Sequence, residues 1–224
     1  MNPAALIAAP DKLPAPAWLF FRDAAPFELL QHKILPDLVD KRNKSSLAPS
    51  PIPIRIWSAA CSTGQELYSI AIVMRELLGD LKRYNVRLIG TDISDAAVAR
   101  ASYGTFNNFG IDRGLAKDKL QKYFVRDKDS WKIRDEVRAM VTFKKQNLMG
   151  EFNGIGRFDI VFCRNVAIYF AEADRTKLFN KVEGVLEPDG YLIIGSTESL
   201  TGIAPQFEPK RHVRSIFYQV RGNS

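Results

Sequence analysis

The feature that most constrains this fold is an alternation. From residue 54 onward, short continuous apolar runs take turns with segments whose apolar residues recur every three or four positions. The runs at 54–60, 86–93, 158–163, 191–195 and 215–220 have the length of buried strands. Between them, 64–78 sets Leu67, Ile70, Ala71, Met74, Leu77 and Leu78 on one helical face, and 172–186 does the same with Leu178, Val182, Val185 and Leu186. Ser94 is a good N-cap for a helix at 95–102. Pro188-Asp189-Gly190 is expected to stop the helix at 172–186. Strands that alternate with helices predict an α/β fold, a parallel sheet covered on both faces.

The rest of the chain departs from this rhythm. Residues 1–16, with four prolines, read as a flexible arm. Residues 26–39 read as a short helix on Phe27, Leu30 and Ile34, and 41–53 as a loop rich in Asn, Ser and Pro. The stretch 103–143 reads as an insertion, with a helix at 115–123 and short strands at 131–134 and 141–143. The predicted organisation is therefore an arm, short helix and linker over 1–53, then one α/β domain over 54–224 carrying an insertion at about 103–143.

Composition excludes several classes. No apolar run approaches the roughly 20 residues of a membrane span, and the N-terminus lacks the pattern of a signal peptide, so a cytoplasmic protein is expected. Cys61 and Cys163 are too few for a disulfide framework, and two His with no His/Cys cluster argue against zinc. Both thiols are expected to be small buried residues. The net charge is +7, and residues 113–145 hold 11 Lys/Arg against 5 Asp/Glu. Such a local field suits an anionic partner, although a solvated Lys-rich surface would look the same.

Open α/β sheets bind ligands beyond the carboxyl ends of their strands. After the first strand comes Ala60-Cys61-Ser62-Thr63-Gly64-Gln65-Glu66, where Ala60 and Gly64 let a ligand approach the backbone. After the second comes Asp92, a carboxylate suited to two ribose hydroxyls. Asn147 follows the next strand, and Arg164-Asn165 the one after. Any one of these can be a turn or capping residue, but four polar groups on one rim suggest a nucleoside site. Neither G-x-G-x-x-G nor G-x-x-x-x-G-K-[ST] is present, so no diphosphate or triphosphate has a cradle. S-adenosylmethionine (SAM) has no phosphate. Its ammonium and sulfonium would be favoured by a carboxylate such as Glu66.

These stretches, in order and spacing, resemble the CheR family of bacterial chemotaxis receptor methyltransferases. The match is carried by Phe20-Phe21-Arg22-Asp23, the block Arg55 through Ile70, Gly90-Thr91-Asp92-Ile93, Asn147-Leu148, the block Phe158 through Phe170 with Cys163-Arg164-Asn165-Val166, and the block Leu186 through Leu192. The resemblance implies a Rossmann-like, class I SAM-dependent methyltransferase with a small inserted β-subdomain. It further implies methylation of glutamate carboxylates on a chemoreceptor's cytoplasmic domain, leaving S-adenosylhomocysteine (SAH). Glu66, Asp92, Asn147, Leu148, Asn165 and Val166 would contact SAM, and Arg22 and Tyr169 would lie near the reacting methyl. The positive insertion would suit an acidic helical partner.

The sequence also departs from the family. Its helical N-terminal domain has no counterpart before Phe20, and Pro16 and Trp18 stand where Asn and Thr are usual. Gln65 and Leu67 replace the usual Glu and Pro, and Ser196-Thr197-Glu198-Ser199 replaces His-Ser-Glu-Ser. Two other readings stay open: a SAM- or SAH-binding regulatory or scaffold module without transfer activity, and a nucleic-acid methyltransferase. The Asn/Asp-Pro-Pro-aromatic motif of amino-group methyltransferases is absent.

Overall fold

The computed structural model describes residues 19–44, 51–112 and 114–222. The arm expected at 1–16, residues 16 and 18 of the departures above, and positions 45–50 of the expected loop lie outside the described residues.

The first apolar run forms strand β1 (Ile52–Ala59) and the second β2 (Tyr84–Asp92). They pair in parallel along their full length, Ile52 opposite Tyr84 through Ala59 opposite Thr91. On the other side of β1 lies the parallel strand β7 (Phe158–Cys163), every residue of which is buried. Strand β6 (Val141–Lys145) flanks β2, and β8 (Leu186–Ile194) flanks β7, both parallel. An antiparallel hairpin, β9 (Phe207–His212) and β10 (Ser215–Val220), completes the sheet through β10. The order is β6-β2-β1-β7-β8-β10-β9. Successive strands are therefore added on one side of β1 as far as β6 and, from β7 onward, on the other. The Rossmann-like expectation holds.

The covering helices follow the sequence periodicity. Helix Gln65–Leu78 buries every residue from Gln65 to Met74 except Glu66. Helix Asp95–Tyr103 is capped by the Ser94 hydroxyl, which accepts from the Ala97 N–H at 3.2 Å. Helix Glu172–Val185 buries Leu178, Phe179 and Val182. Phe20, Leu30, Ile34, Leu38, Ile56, Tyr68 and Phe162 belong to one apolar cluster, and Trp57, Leu148, Phe158, Val166, Leu178 and Leu192 to the other.

Four expectations need correction, and three strands went unread. The helix expected at 26–39 is longer: Ala24–Leu29, a π-helical turn at Leu30–Ile34, and Leu35–Lys44. Residues 40–44 are polar and give no apolar signal. Their cations suit a helix C-terminus, and Arg42 is anchored to the fully buried Asp159 at 2.8 Å. The boundary drawn at 53/54 falls inside β1, and the helix at 24–44 shares the domain's core. Pro188-Asp189-Gly190 does not stop the helix. The chain is already extended at Leu186, and the three residues occupy an irregularity in β8, where Phe158 pairs with Leu186 and Ile160 with Tyr191. Residues 141–143 belong to the main sheet as β6. The insertion proper is a three-stranded sheet, β3 (Thr105–Asn107), β5 (Ser130–Ile133) and β4 (Phe124–Asp127), with β5 in the middle. Finally, β3, β4 and β9 gave no apolar alternation to read. The edge strand β9 carries Pro209, which an edge tolerates because one side of its backbone is unpaired.

Candidate functional site

The switch point between β1 and β7 is where an open parallel sheet leaves a crevice. A cleft lies there, lined by Arg22, Phe27, Ala60, Ser62, Glu66 and Asn165 among others. Its floor is the loop after β1, tightened by positive φ angles at Ala60 (56°), Ser62 (50°) and Gly64 (93°). Gly64 is needed for this conformation and for packing. A Cβ there would come within 2.9 Å of the Phe143 ring and 3.0 Å of Ala101. Its open side thus faces the core. The expectation that its missing side chain clears the way for a ligand is corrected to a turn and packing role.

Glu66 opens the first turn of helix Gln65–Leu78, where the helix dipole favours a carboxylate. The Ser58 hydroxyl donates to its Oε1 at 2.8 Å, and the Arg164 guanidinium to its Oε2 at 2.9 Å. A carboxylate offers about four acceptor directions, so two bonds leave capacity toward the cleft. Asp92 ends β2. Its two oxygens accept from the Ser62 N–H at 2.9 Å and the Ser94 N–H at 3.0 Å, which locks the loops after β1 and β2 together. Burial raises its pKa above the ordinary aspartate value, and the backbone N–H bonds offset only part of that.

Of the remaining predicted residues, Asn165 lines the cleft, whereas Asn147, Leu148 and Val166 are not among the residues that line it. Asn147 closes its own turn by accepting from the Met149 N–H at 2.9 Å. Leu148 and Val166 are buried in the second apolar cluster. Asn165 sits at φ 57°, a conformation its short polar side chain tolerates. Tyr169 is half-buried on the 3₁₀ turn Ala167–Tyr169, and it is not among the residues that line the cleft with Arg22.

Arg22 stands in a strained turn. Phe21 and Asp23, on either side, have φ of 49° and 56°. Left-handed backbone costs a non-glycine residue about 1–2 kcal/mol. Bonds from distant elements oppose that cost. The Phe21 N–H donates to the Ser69 hydroxyl at 2.9 Å, and Arg164 donates to the Arg22 carbonyl at 2.9 Å. Among the described residues, no carboxylate makes an ion pair with the Arg22 guanidinium. Cys61 also lines the cleft, but burial first, then Asp92 and Glu66, push its thiol well up. It is a buried neutral thiol rather than a nucleophile.

The CheR methyltransferase SAM-binding domain, as a family, matches residues 18–215. The chain belongs to the CheR methyltransferase family. Among curated relatives it is 37% identical over 220 residues to chemotaxis protein methyltransferase 1 of Vibrio cholerae, covering 96% of this chain and 76% of that protein. It is 35% identical over 208 residues to chemotaxis protein methyltransferase 1 of Pseudomonas aeruginosa, covering 91% and 73%. With the chemotaxis protein methyltransferase of Borreliella burgdorferi it shares 38% over 200 residues, covering 88% and 69%.

SAM is the cofactor of this CheR domain. The side chains present fit it. Glu66 lines the cleft from the first helical turn after β1, Asp92 ends the neighbouring strand β2, and the sequence carries no phosphate-cradle motif, which matches a cationic, phosphate-free nucleoside.

Four further side chains support the cleft and its surroundings in ways the sequence does not reveal, although Arg164 itself stands among the polar strand-end groups. Arg164 bridges Glu66, the Arg22 carbonyl and Asp23 with a side chain only 2% exposed. Glu198 accepts from the N–H groups of Asn165 at 2.8 Å and Gly195 at 2.6 Å, which fixes the turn after β7. Ser69 holds Phe21, and Lys181 donates to the carbonyls of Leu148 at 2.7 Å and Gly150 at 2.8 Å. The signal for Arg164 was its place in the Cys-Arg-Asn-Val block, and for Glu198 the Ser-Thr-Glu-Ser run after β8. Ser69 and Lys181 lie within helices and gave none.

Proposed function

We propose that this chain transfers a methyl group to glutamate side-chain carboxylates of a chemoreceptor's cytoplasmic domain, forming methyl esters, in the cytoplasm. The observation that carries this reading is Arg22: a guanidinium lining the cleft beside Glu66 with no carboxylate partner of its own among the described residues. A planar guanidinium is suited to receive and orient an incoming carboxylate.

SAM, when bound, supplies a methyl group activated by its sulfonium. The chain's residues then have little acid–base work to do. A glutamate carboxylate has a reference pKa of about 4.3 and is already ionised at neutral pH, so it needs no general base. The task is alignment, holding the carboxylate oxygen in line at near-attack distance. Arg22 sets the carboxylate. Glu66 offers negative charge to the cofactor's ammonium, and Asp92 accepts from its ribose hydroxyls. Ala60, Asn147, Leu148, Asn165 and Val166 complete the cofactor's walls, and Gly64 turns the loop. Tyr169, four residues beyond Asn165, shapes the entrance for the substrate. The names of the relatives, all chemotaxis methyltransferases, support the chemoreceptor as substrate.

The test is transfer from methyl-labelled SAM to a purified receptor cytoplasmic fragment, followed by mild base. Base-labile label, released as methanol and mapped to glutamates, is the expected result. Base-stable label on the fragment, or label on added nucleic acid instead, overturns the reading. Arg22→Ala is expected to reduce turnover roughly 1,000-fold, in the range that loss of a positioning contact produces, while SAH affinity changes only a few-fold. Equal loss of both removes the orienting role.

A further inference from the structure

Arg22 is useful in the cleft only if the turn at residues 21–23 stays where it is, and that turn is not locally stable: two of its three residues are left-handed without being glycine. Little within the turn explains its persistence. The holding bonds come from elsewhere. The Arg164 Nη2 donates to the Arg22 carbonyl at 2.9 Å and to the Asp23 carboxylate at 3.0 Å. Its Nη1 donates to Glu66 at 2.9 Å. The guanidinium also lies 5.8 Å from the centre of the Phe27 ring. It is buried, and these protein partners take up its two terminal nitrogens.

We propose that Arg164 is a positioning residue that acts through Arg22. It holds the strained turn so that the Arg22 side chain projects into the cleft, and through Glu66 it ties that turn to the cofactor loop. Asp23 is the anchor that fixes the far side of the same guanidinium. The inference rests on the reading of Arg22 as the group that orients the substrate carboxylate. Lysine cannot replace Arg164, because one ammonium does not present a fork to a carbonyl and two carboxylates at once.

Asp23→Asn and Arg164→Lys test this in the full chain, each also combined with Arg22→Lys. Three quantities are read: SAH affinity by calorimetry, turnover on the receptor fragment, and hydrogen–deuterium exchange of residues 20–24. Asp23 is exposed, so Asp23→Asn is expected to fold as the parent does. It should lower turnover roughly 10-fold, and Arg164→Lys roughly 100-fold, the scale of a misplaced catalytic group. SAH affinity should stay within about twofold in Asp23→Asn. Exchange at residues 20–24 should quicken in both. In the Arg22→Lys background Asp23→Asn should cost nothing further, since it acts through a side chain already replaced.

Turnover within about twofold of the parent in both variants overturns the proposal, as does a full additive loss in the Arg22→Lys background. If Arg164→Lys does not fold, Asp23→Asn decides alone. If the parent binds SAH but methylates no receptor fragment, it is the substrate reading that has failed. Exchange at residues 20–24 then decides: unchanged exchange overturns the holding role, and faster exchange supports it.

Discussion

The centre of the large sheet and the inserted small sheet are built on opposite principles. In β1 and β7 the burial is nearly continuous, and every residue of β7 is inside. In the small sheet, β3 buries only Phe106, β4 only Phe124 and β5 only Ile133. Those three side chains nonetheless have a defined purpose. Phe106 and Phe124 meet the Phe20 ring edge-on, with centroids 4.8 and 5.2 Å apart. Phe20 stands two residues before Arg22, so the small sheet grips the base of the turn that carries the arginine. The large sheet creates the crevice, and the small one backs one of its walls. The difference teaches that a short, mostly polar sheet can serve the site through three inward residues, while its outward face is left open to other uses.

The largest expected contrast is in stability. Phe162 on β7 is fully buried among Phe27 and the aliphatic residues of the core. Phe162→Ala should cost about 3–5 kcal/mol, whereas Val125→Ala on β4, where the side chain is exposed, should stay within about 0.5 kcal/mol. Urea unfolding measures both. A loss above roughly 2 kcal/mol at Val125 would mean that the small sheet holds more of the fold than its burial implies.

Next comes the rim. Hydrogen bonds to a charged group contribute roughly 1.5–3 kcal/mol each. Removing a carboxylate that accepts two ribose hydroxyls should therefore weaken SAH binding about 100-fold or more in Asp92→Ala. Asp127→Ala on the small sheet should leave it unchanged. The pH dependence has a definite sign. Burial raises the Asp92 pKa above the ordinary aspartate value, and its ionised form is the acceptor. Affinity should therefore be full at neutral pH and fall as pH drops through that raised value, sooner than for an exposed aspartate. For stability the same shift runs the other way. The folded state holds the proton more tightly, so this group's contribution is present at low pH and declines as pH rises through its folded pKa. A calorimetric titration that shows SAH affinity flat down to pH 4 would remove Asp92 from the ribose role.

How much of this was legible follows from the same contrast. The central strands could be read because burial on both faces demands an unbroken apolar run, as in Ile160-Val161-Phe162. The strand ends could be read because Asp92, Asn147 and Asn165 are polar residues directly after such runs. Of the small sheet only β5 is legible, as the short strand at 131–134, since one inward residue per strand makes almost no pattern, and Val141 reads as part of the insertion because β6 looks equally short. Residues 41–44 read as loop because nothing local marks their helix, whose Arg42 is held by Asp159, 117 residues away. Arg164 shows the same limit. Its place in a motif was visible, but its contacts with Glu66, Arg22 and Asp23 span 98, 142 and 141 residues. A bond of that separation leaves no trace in local periodicity, and only the fold brings its partners together.

The smallest expected effect concerns the small sheet's outer face. Lys122, in the helix just before β4, and Lys128, in the turn between β4 and β5, are exposed beside it, within the segment 113–145 that carries 11 Lys/Arg against 5 Asp/Glu. Single surface charges contribute little to stability, so Lys122→Glu with Lys128→Glu should unfold at nearly the parent's denaturant concentration. A field acts on encounter instead. It gathers an acidic partner over about a Debye length, roughly 10 Å at 0.1 M salt, and speeds association more than it tightens the final complex. The double variant should therefore raise KM for an acidic receptor fragment a few-fold at low ionic strength and leave kcat and SAH affinity alone. The penalty should shrink as salt screens it. If KM is unchanged at low salt, the positive surface is only a solvated face. If the penalty persists in high salt, the two lysines make direct contacts, and the outer face of the small sheet is a docking surface rather than a source of field.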